Sequence, residues 1–261
     1  AGANTACETP RFKPANLAAL KAAVDACVDG SWSSPNVIQG TKDGSECYAC
    51  LDGTMKTSAE TCAAGDTAQF ITNWDTSLVT SFKLLFQWKT KFNQPLNWDT
   101  SKVTDFSNMF QANWDFNQDI SSWDVSKGED FSAMLTGYAG QHDTQQMNFN
   151  QDISSWDVSS ATKMTSMFSS SKFNKDISSW DVSNVEQLNS MFSFSNFNKD
   201  ISSWDVSNAV KLNSMFQGSP FDQDISCWDI SSVTTFYGMF MDSSMSKTLC
   251  WDTTGKTTTE M

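Results

Sequence analysis

The chain of 261 residues carries a single histidine, His142, and a single arginine, Arg11. One imidazole supplies no histidine cluster for a metal and no ready Ser/His or Cys/His pair for nucleophilic catalysis. Basic residues are scarce: 17 Lys plus Arg stand against 30 Asp plus Glu, a formal net charge of −13. Such a surface repels nucleic acid and anionic lipid, whose phosphates are held by Lys and Arg. Cations and positively charged protein faces suit it better. Also missing are a glycine-rich phosphate loop and any apolar run near the ~20 residues of a membrane-spanning helix. The small, polar start Ala1-Gly2-Ala3 reads as the mature end left by a signal peptidase, although an edited start would look the same.

Seven cysteines are present. Cys47-Tyr-Ala-Cys50 is a CxxC pair, but the nearest further thiol is Cys62 and no histidine is close, so a four-ligand zinc site is disfavoured. Disulfides in an oxidising compartment are the better reading. The expected N-terminal pairs are Cys7 with Cys27, and Cys47 or Cys50 with Cys62. Cys227 and Cys250 each directly precede a repeat Trp and should bond across adjacent coils.

What the chain has in abundance is repetition. Trp-Asp pairs begin at Trp74, Trp98, Trp123, Trp156, Trp180, Trp204, Trp228 and Trp251, spaced 24, 25, 33, 24, 24, 24 and 23 residues apart. A large apolar residue follows each of the first seven at the eighth position, and an apolar pair ending in Phe or Leu at the twelfth. In the coil Phe173 to Phe192, Ile177, Trp180 and Val182 have the spacing of an inward-facing strand. Val185, Leu188, Met191 and Phe192 have that of a one-sided short helix, with Ser183 and Glu186 as its capping box. The expected fold is an α/β solenoid, leucine-rich-repeat-like: about eight 24-residue coils, a parallel sheet on one face, short helices on the other, and the indoles as an internal column. Residues 1–69 are expected to form a disulfide-stapled helical N-terminal cap, with a helix over Asn16 to Val28. Residues 70–252 form the solenoid and 253–261 a Thr-rich tail.

Two features suggest contact with partners. The third coil carries an insertion near Gly137 to Asn148 that includes Tyr138 and His142. The Asp after each Trp, among them Asp124, Asp157, Asp181, Asp205 and Asp229, should point outward and form an acidic ladder. Carboxylates ~5 Å apart repel by nearly 1 kcal/mol even in water. Hydrogen bonds from the hydroxyls of Ser126, Ser159, Ser183, Ser207 and Ser231, two residues on, or from backbone N–H groups at turns, are the structural explanation. A calcium stripe through Asp157, Asp181, Asp205 and Asp229 is the functional alternative. A second column, Asp119, Asp152, Asp176, Asp200 and Asp224, reads as a turn ladder or a further calcium site. No other cofactor is expected.

The segment Phe149 to Phe168, FNQDISSWDVSSATKMTSMF, resembles the repeat of the BspA-like leucine-rich-repeat surface proteins, a repeat type shared with mycoplasma lipoproteins. The resemblance runs from about Ile71 to Trp251. It weakens at Ile71-Thr-Asn-Trp74, which lacks the Phe-Asn lead, and at Pro95, which replaces Asp. It implies a secreted or surface-attached binding module with no common catalytic activity.

Repeated identical Asp argues for a lattice rather than for one tuned acid and one tuned base. The chain therefore reads as a non-enzymatic adhesion or recognition module, secreted or at the cell surface. Its partner would be a protein or glycan with a basic or polar surface. The second reading is a structural subunit docked on a larger membrane-associated assembly in an oxidising lumen, thylakoid or periplasmic. Ice or mineral binding is a third.

Overall fold

A computed structural model describes residues 11–27, 48–49, 55–56, 69–137 and 145–256. Near the N-terminus, Asn16 accepts the Ala19 N–H at 3.0 Å and starts helix α1, Leu17–Cys27. Its Leu20, Ala23 and Val24 are buried against the repeat core. Asp25 pairs with the buried Lys89 ammonium at 2.9 Å. Strands β1 (Tyr48–Ala49), β2 (Met55–Lys56) and β3 (Gln69–Phe70) form a small antiparallel sheet in the order β2-β1-β3. Instead of a helical cap, the described N-terminal region combines this one helix with this sheet.

From Trp74 onward the chain winds in coils, but it is not the α/β solenoid expected. Among the described repeat residues there is no α-helix and no parallel sheet of strands. Adjacent coils share single parallel bridges, such as Lys163 to Gln187, Gln187 to Lys211 and Lys211 to Thr235.

The physical reasons are visible in one coil. Where a strand was expected, the Trp180 N–H bonds to the Ile177 carbonyl at 3.1 Å and the Val185 N–H to that of Val182 at 2.9 Å. These are two consecutive turns. Their corners still turn Ile177, Trp180 and Val182 inward, all buried. Where a helix was expected, Ser190 (φ 57°) and Phe194 (φ 54°) lie in the left-handed region, which a right-handed helix does not tolerate. The N–H groups of Leu188, Ser190, Phe192 and Phe194 point to the next coil, to the carbonyls of Lys211, Asn213, Met215 and Gln217. Those of Met191, Ser193 and Ser195 close turns back by three residues. The capping box has no helix to cap: the Ser183 hydroxyl donates to Asp181 at 2.6 Å.

The core is a set of columns running along the stack. Trp98, Trp123, Trp156, Trp180, Trp204 and Trp228 are buried, and each indole N–H donates to a carbonyl of the preceding coil at 2.8–3.1 Å. Trp180 thus binds the Ile153 carbonyl. Phe92, Phe116, Phe149, Phe173, Phe197 and Phe221 stack in a second column. Beside it, the side-chain oxygen of Asn150 accepts the Asn174 N–H, Asn174 accepts that of Asn198, and Asn198 accepts that of Asp222. Side chains therefore join the coils on the Trp side, where among the described residues the backbone does so only at the first step, from the Asn97 N–H to the Thr72 carbonyl at 3.0 Å.

Equivalent rings in adjacent coils measure the local step of the stack. It is 5.2 Å for Phe106 to Phe131 and 6.0 Å for Phe82 to Phe106, just past the bridge, 5.8 Å for Phe192 to Phe216, and 6.3 Å for both Phe197 to Phe221 and Trp156 to Trp180. Paired parallel backbones lie ~4.8 Å apart. The coils fan apart toward the Trp side, so the bridged face is concave and the Trp-Asp face convex.

The expected Cys227–Cys250 disulfide is not formed; both thiols are free and exposed. In other coils the residue before the Trp leans toward a carbonyl 25 residues back, as Ser179 does toward Ser154 and Ser203 toward Ser178. It does not lean toward its counterpart one coil away. The shorter final spacing also leaves the Trp251 N–H buried without an acceptor. The side chains of Cys7, Cys27, Cys47, Cys50 and Cys62 lie outside the described residues, and so do the pairings expected for them.

Candidate binding faces of the coil stack

The convex face carries the acidic ladder. Asp99, Asp124, Asp157, Asp181, Asp205, Asp229 and Asp252 are exposed in one column. Each accepts the N–H two residues on, as Asp124 does from Ser126 at 3.1 Å and Asp181 from Ser183 at 3.0 Å. At Asp99, Asp124, Asp157 and Asp181 the same oxygen also accepts the Ser hydroxyl at 2.6 Å. These are Asx turns, and they shape the corner that swings the chain past the indole.

The second column, Asp119, Asp152, Asp176, Asp200 and Asp224, makes the same bond to Ser121, Ser154, Ser178, Ser202 and Ser226. The Ser hydroxyl and N–H hold Asp124, Asp181 and Asp205 below the usual carboxylate range. The N–H and hydroxyl of the following Ser do so for Asp152, Asp176 and Asp200. Lys175 and Lys199 add favourable charge to Asp152 and Asp176. These five groups line an open groove of about 620 Å³.

The candidate calcium ligands Asp157, Asp181, Asp205 and Asp229 do share a column. Yet among the described residues no group of three acidic, His or Cys side chains converges as a cation site would require. The partner candidates Asp124, Asp157, Asp181 and Asp205 are displayed to solvent, whereas Tyr138 and His142 lie outside the described residues.

The concave face differs in chemistry. Next to the bridges, Lys83 faces Asp105 and Lys163 faces Asp130, each at 3.9 Å. Beyond the bridge column, the outward polar side chains from Thr165 to Gln217 are Thr165, Ser166, Ser169, Asn189, Ser190, Asn213, Ser214 and Gln217, and Asp242 closes the surface in the last coil as its one acidic group. They are linked across coils: Thr165 donates to Asn189 at 3.1 Å, Ser169 to the Ser193 carbonyl at 3.1 Å, and Thr235 to Asn213 at 2.7 Å.

Two aromatic residues stand out of this polar surface, Phe194 at 43 % exposure and Tyr237 at 47 %. The Phe194 ring lies so close over Gly218 that a Cβ there would meet it at 2.4 Å. Neither was singled out from the sequence. Each departs from its neighbouring coils: Phe194 stands where these have Ser170 and Gly218, although the first coil has Trp88 and the last Asp242, and Tyr237 stands where Asn189 and Asn213 do.

No described helix is long and apolar enough to cross a membrane. No curated protein and no solved structure matches the chain. One family model does, at residues 54–143, 141–219 and 193–261, most of the chain. On that match, which fits the mycoplasma repeat type, the chain belongs to the family described as Mycoplasma protein of unknown function, DUF285.

Proposed function

We propose that this chain is a non-catalytic recognition or scaffolding protein, secreted or displayed at a cell surface, that binds a protein or glycan partner along its stacked coils. The observation that carries the reading is the sameness of its carboxylates. Catalytic acid–base pairs have environments that push their pKa values apart. Here Asp119, Asp124, Asp152, Asp176, Asp181, Asp200, Asp205, Asp224 and Asp229 are all shifted downward, and for one reason, donation from the Ser two residues on. They hold turns, and the surface they frame repeats at one-coil intervals, as extended binding surfaces do.

The test is an affinity pull-down from the native source with the full chain, next to a binding assay on intact cells. Saturable binding to cells or to a retained partner is the expected result. Recovery only in a fixed-stoichiometry complex would favour the structural-subunit reading. A chain that stays monomeric and binds nothing would refute both.

A further inference from the structure

We propose that the concave face between Thr165 and Tyr237 is a binding site for an uncharged oligosaccharide, with Phe194 and Tyr237 as its stacking platforms. The inference rests on the binding role proposed above and names the chemistry of the partner.

The first observation is the segregation of charge. The convex face carries the two carboxylate columns, whereas eight hydroxyl and amide side chains, Thr165 to Gln217, surround the aromatic residues of the concave columns, with Asp242 at their far edge. Lys163 and Lys211 stand only at the margin, in the bridge column. A polar but un-ionised surface offers both donors and acceptors. It suits a ligand that is itself rich in hydroxyls. A charged ligand would instead demand charge-assisted partners.

The second observation is independent and concerns Phe194. An aromatic ring 43 % exposed contributes little to the core, and its backbone sits at φ 54°. A bulky residue there is strained, and small residues fill the equivalent position in neighbouring coils. The first coil also carries an aromatic residue here, Trp88 at φ 61°, but that ring is half-buried, so it is the exposure of Phe194 that calls for another explanation. It rests on Gly218, and the Gln146 amide holds the Phe194 carbonyl at 2.9 Å and the Asn196 side chain at 3.1 Å. A supported aromatic ring beside amide groups combines an apolar platform for sugar C–H groups with polar anchors for hydroxyls.

The experiment is calorimetric titration of the full chain with neutral hexasaccharides of the cello-, malto-, xylo- and chito- series, with hexagalacturonate as the charged control. Binding of at least one neutral series is expected, and Phe194→Ala should weaken it by about tenfold or more, as loss of an aromatic anchor does. Tyr237→Ala is the second variant, read in the same way if Phe194→Ala does not fold. The convex-face variant Asp181→Asn should bind like the parent. No binding by any neutral series, preference for the charged control, or full affinity in both aromatic variants would overturn the proposal. A protein partner recovered in the pull-down alongside such a result would leave the broader binding role standing; failure of both would remove it as well.

Discussion

At the scale of the residue, the indole column does two things at once. Each ring fills the core, and its N–H, which would otherwise be buried without a partner, donates to a carbonyl of the coil below. Trp180→Ala should therefore cost about 3–5 kcal/mol in denaturant unfolding, as large-to-small core changes do. Trp180→Phe tests the second role: it keeps much of the volume but removes the indole donor, while the Ile153 carbonyl keeps the Trp156 N–H at 3.1 Å, so the lost hydrogen bond should cost about 0.5–1.5 kcal/mol. The two thiols give a simpler check. In the native, unreduced protein both Cys227 and Cys250 should take up iodoacetamide, read as a label on each of the two peptides that carry them by mass spectrometry; protection of both would restore the disulfide.

At the scale of the element, the columns of the core are legible in the sequence because burial selects side-chain type. Trp180, Ile177, Leu188 and Phe192 lie inside as their spacing suggests. The backbone path is not legible. A stripe at 185, 188, 191 and 192 suits a helix, but equally suits a run of turns that returns a side chain to the core every third residue. The deciding feature is the left-handed residue ten positions after each Trp. It is Leu84, Asn108, Ala133, Ser166, Ser190, Ser214 and Gly238, and glycine, the residue that would signal it, occurs once. Ser190→Val should accordingly destabilise by about 1–3 kcal/mol, while Ser190→Gly stays within about 1 kcal/mol of the parent, both by thermal melting. The Asp columns were legible as ladders, and their hydrogen bonds to Ser are those the sequence suggested. The concave aromatic residues were not, because they are exceptions to the repeat. Since the turn aspartates already have donors, millimolar EDTA should leave the melting temperature unchanged; a fall of several degrees would show a structural cation.

At the scale of the whole molecule, the fan of coils separates two surfaces, an acidic convex one and a concave one that is polar with few ionised groups between Thr165 and Tyr237. The acidic face links stability to pH. A carboxylate whose pKa is lower in the folded than in the unfolded chain stabilises the fold fully above its unfolded value, near 4. That contribution is lost as pH falls through the depressed folded value. Because the shift recurs from Asp119 to Asp252 with one cause, melting temperature should be flat with respect to these groups above about pH 5 and drop below about pH 4. A rise in stability on acidification through that window would mean that repulsion along the ladder outweighs its hydrogen bonds.

The claim beneath all of this is that the coils are joined by backbone N–H groups reaching forward to the next coil rather than folded back into helices. Through-hydrogen-bond couplings in NMR report the acceptor of each amide directly. The Ser190 N–H should couple to the carbonyl carbon of Asn213, one coil on. Coupling to the carbonyl of Glu186, four residues back as in an α-helix, would contradict the account.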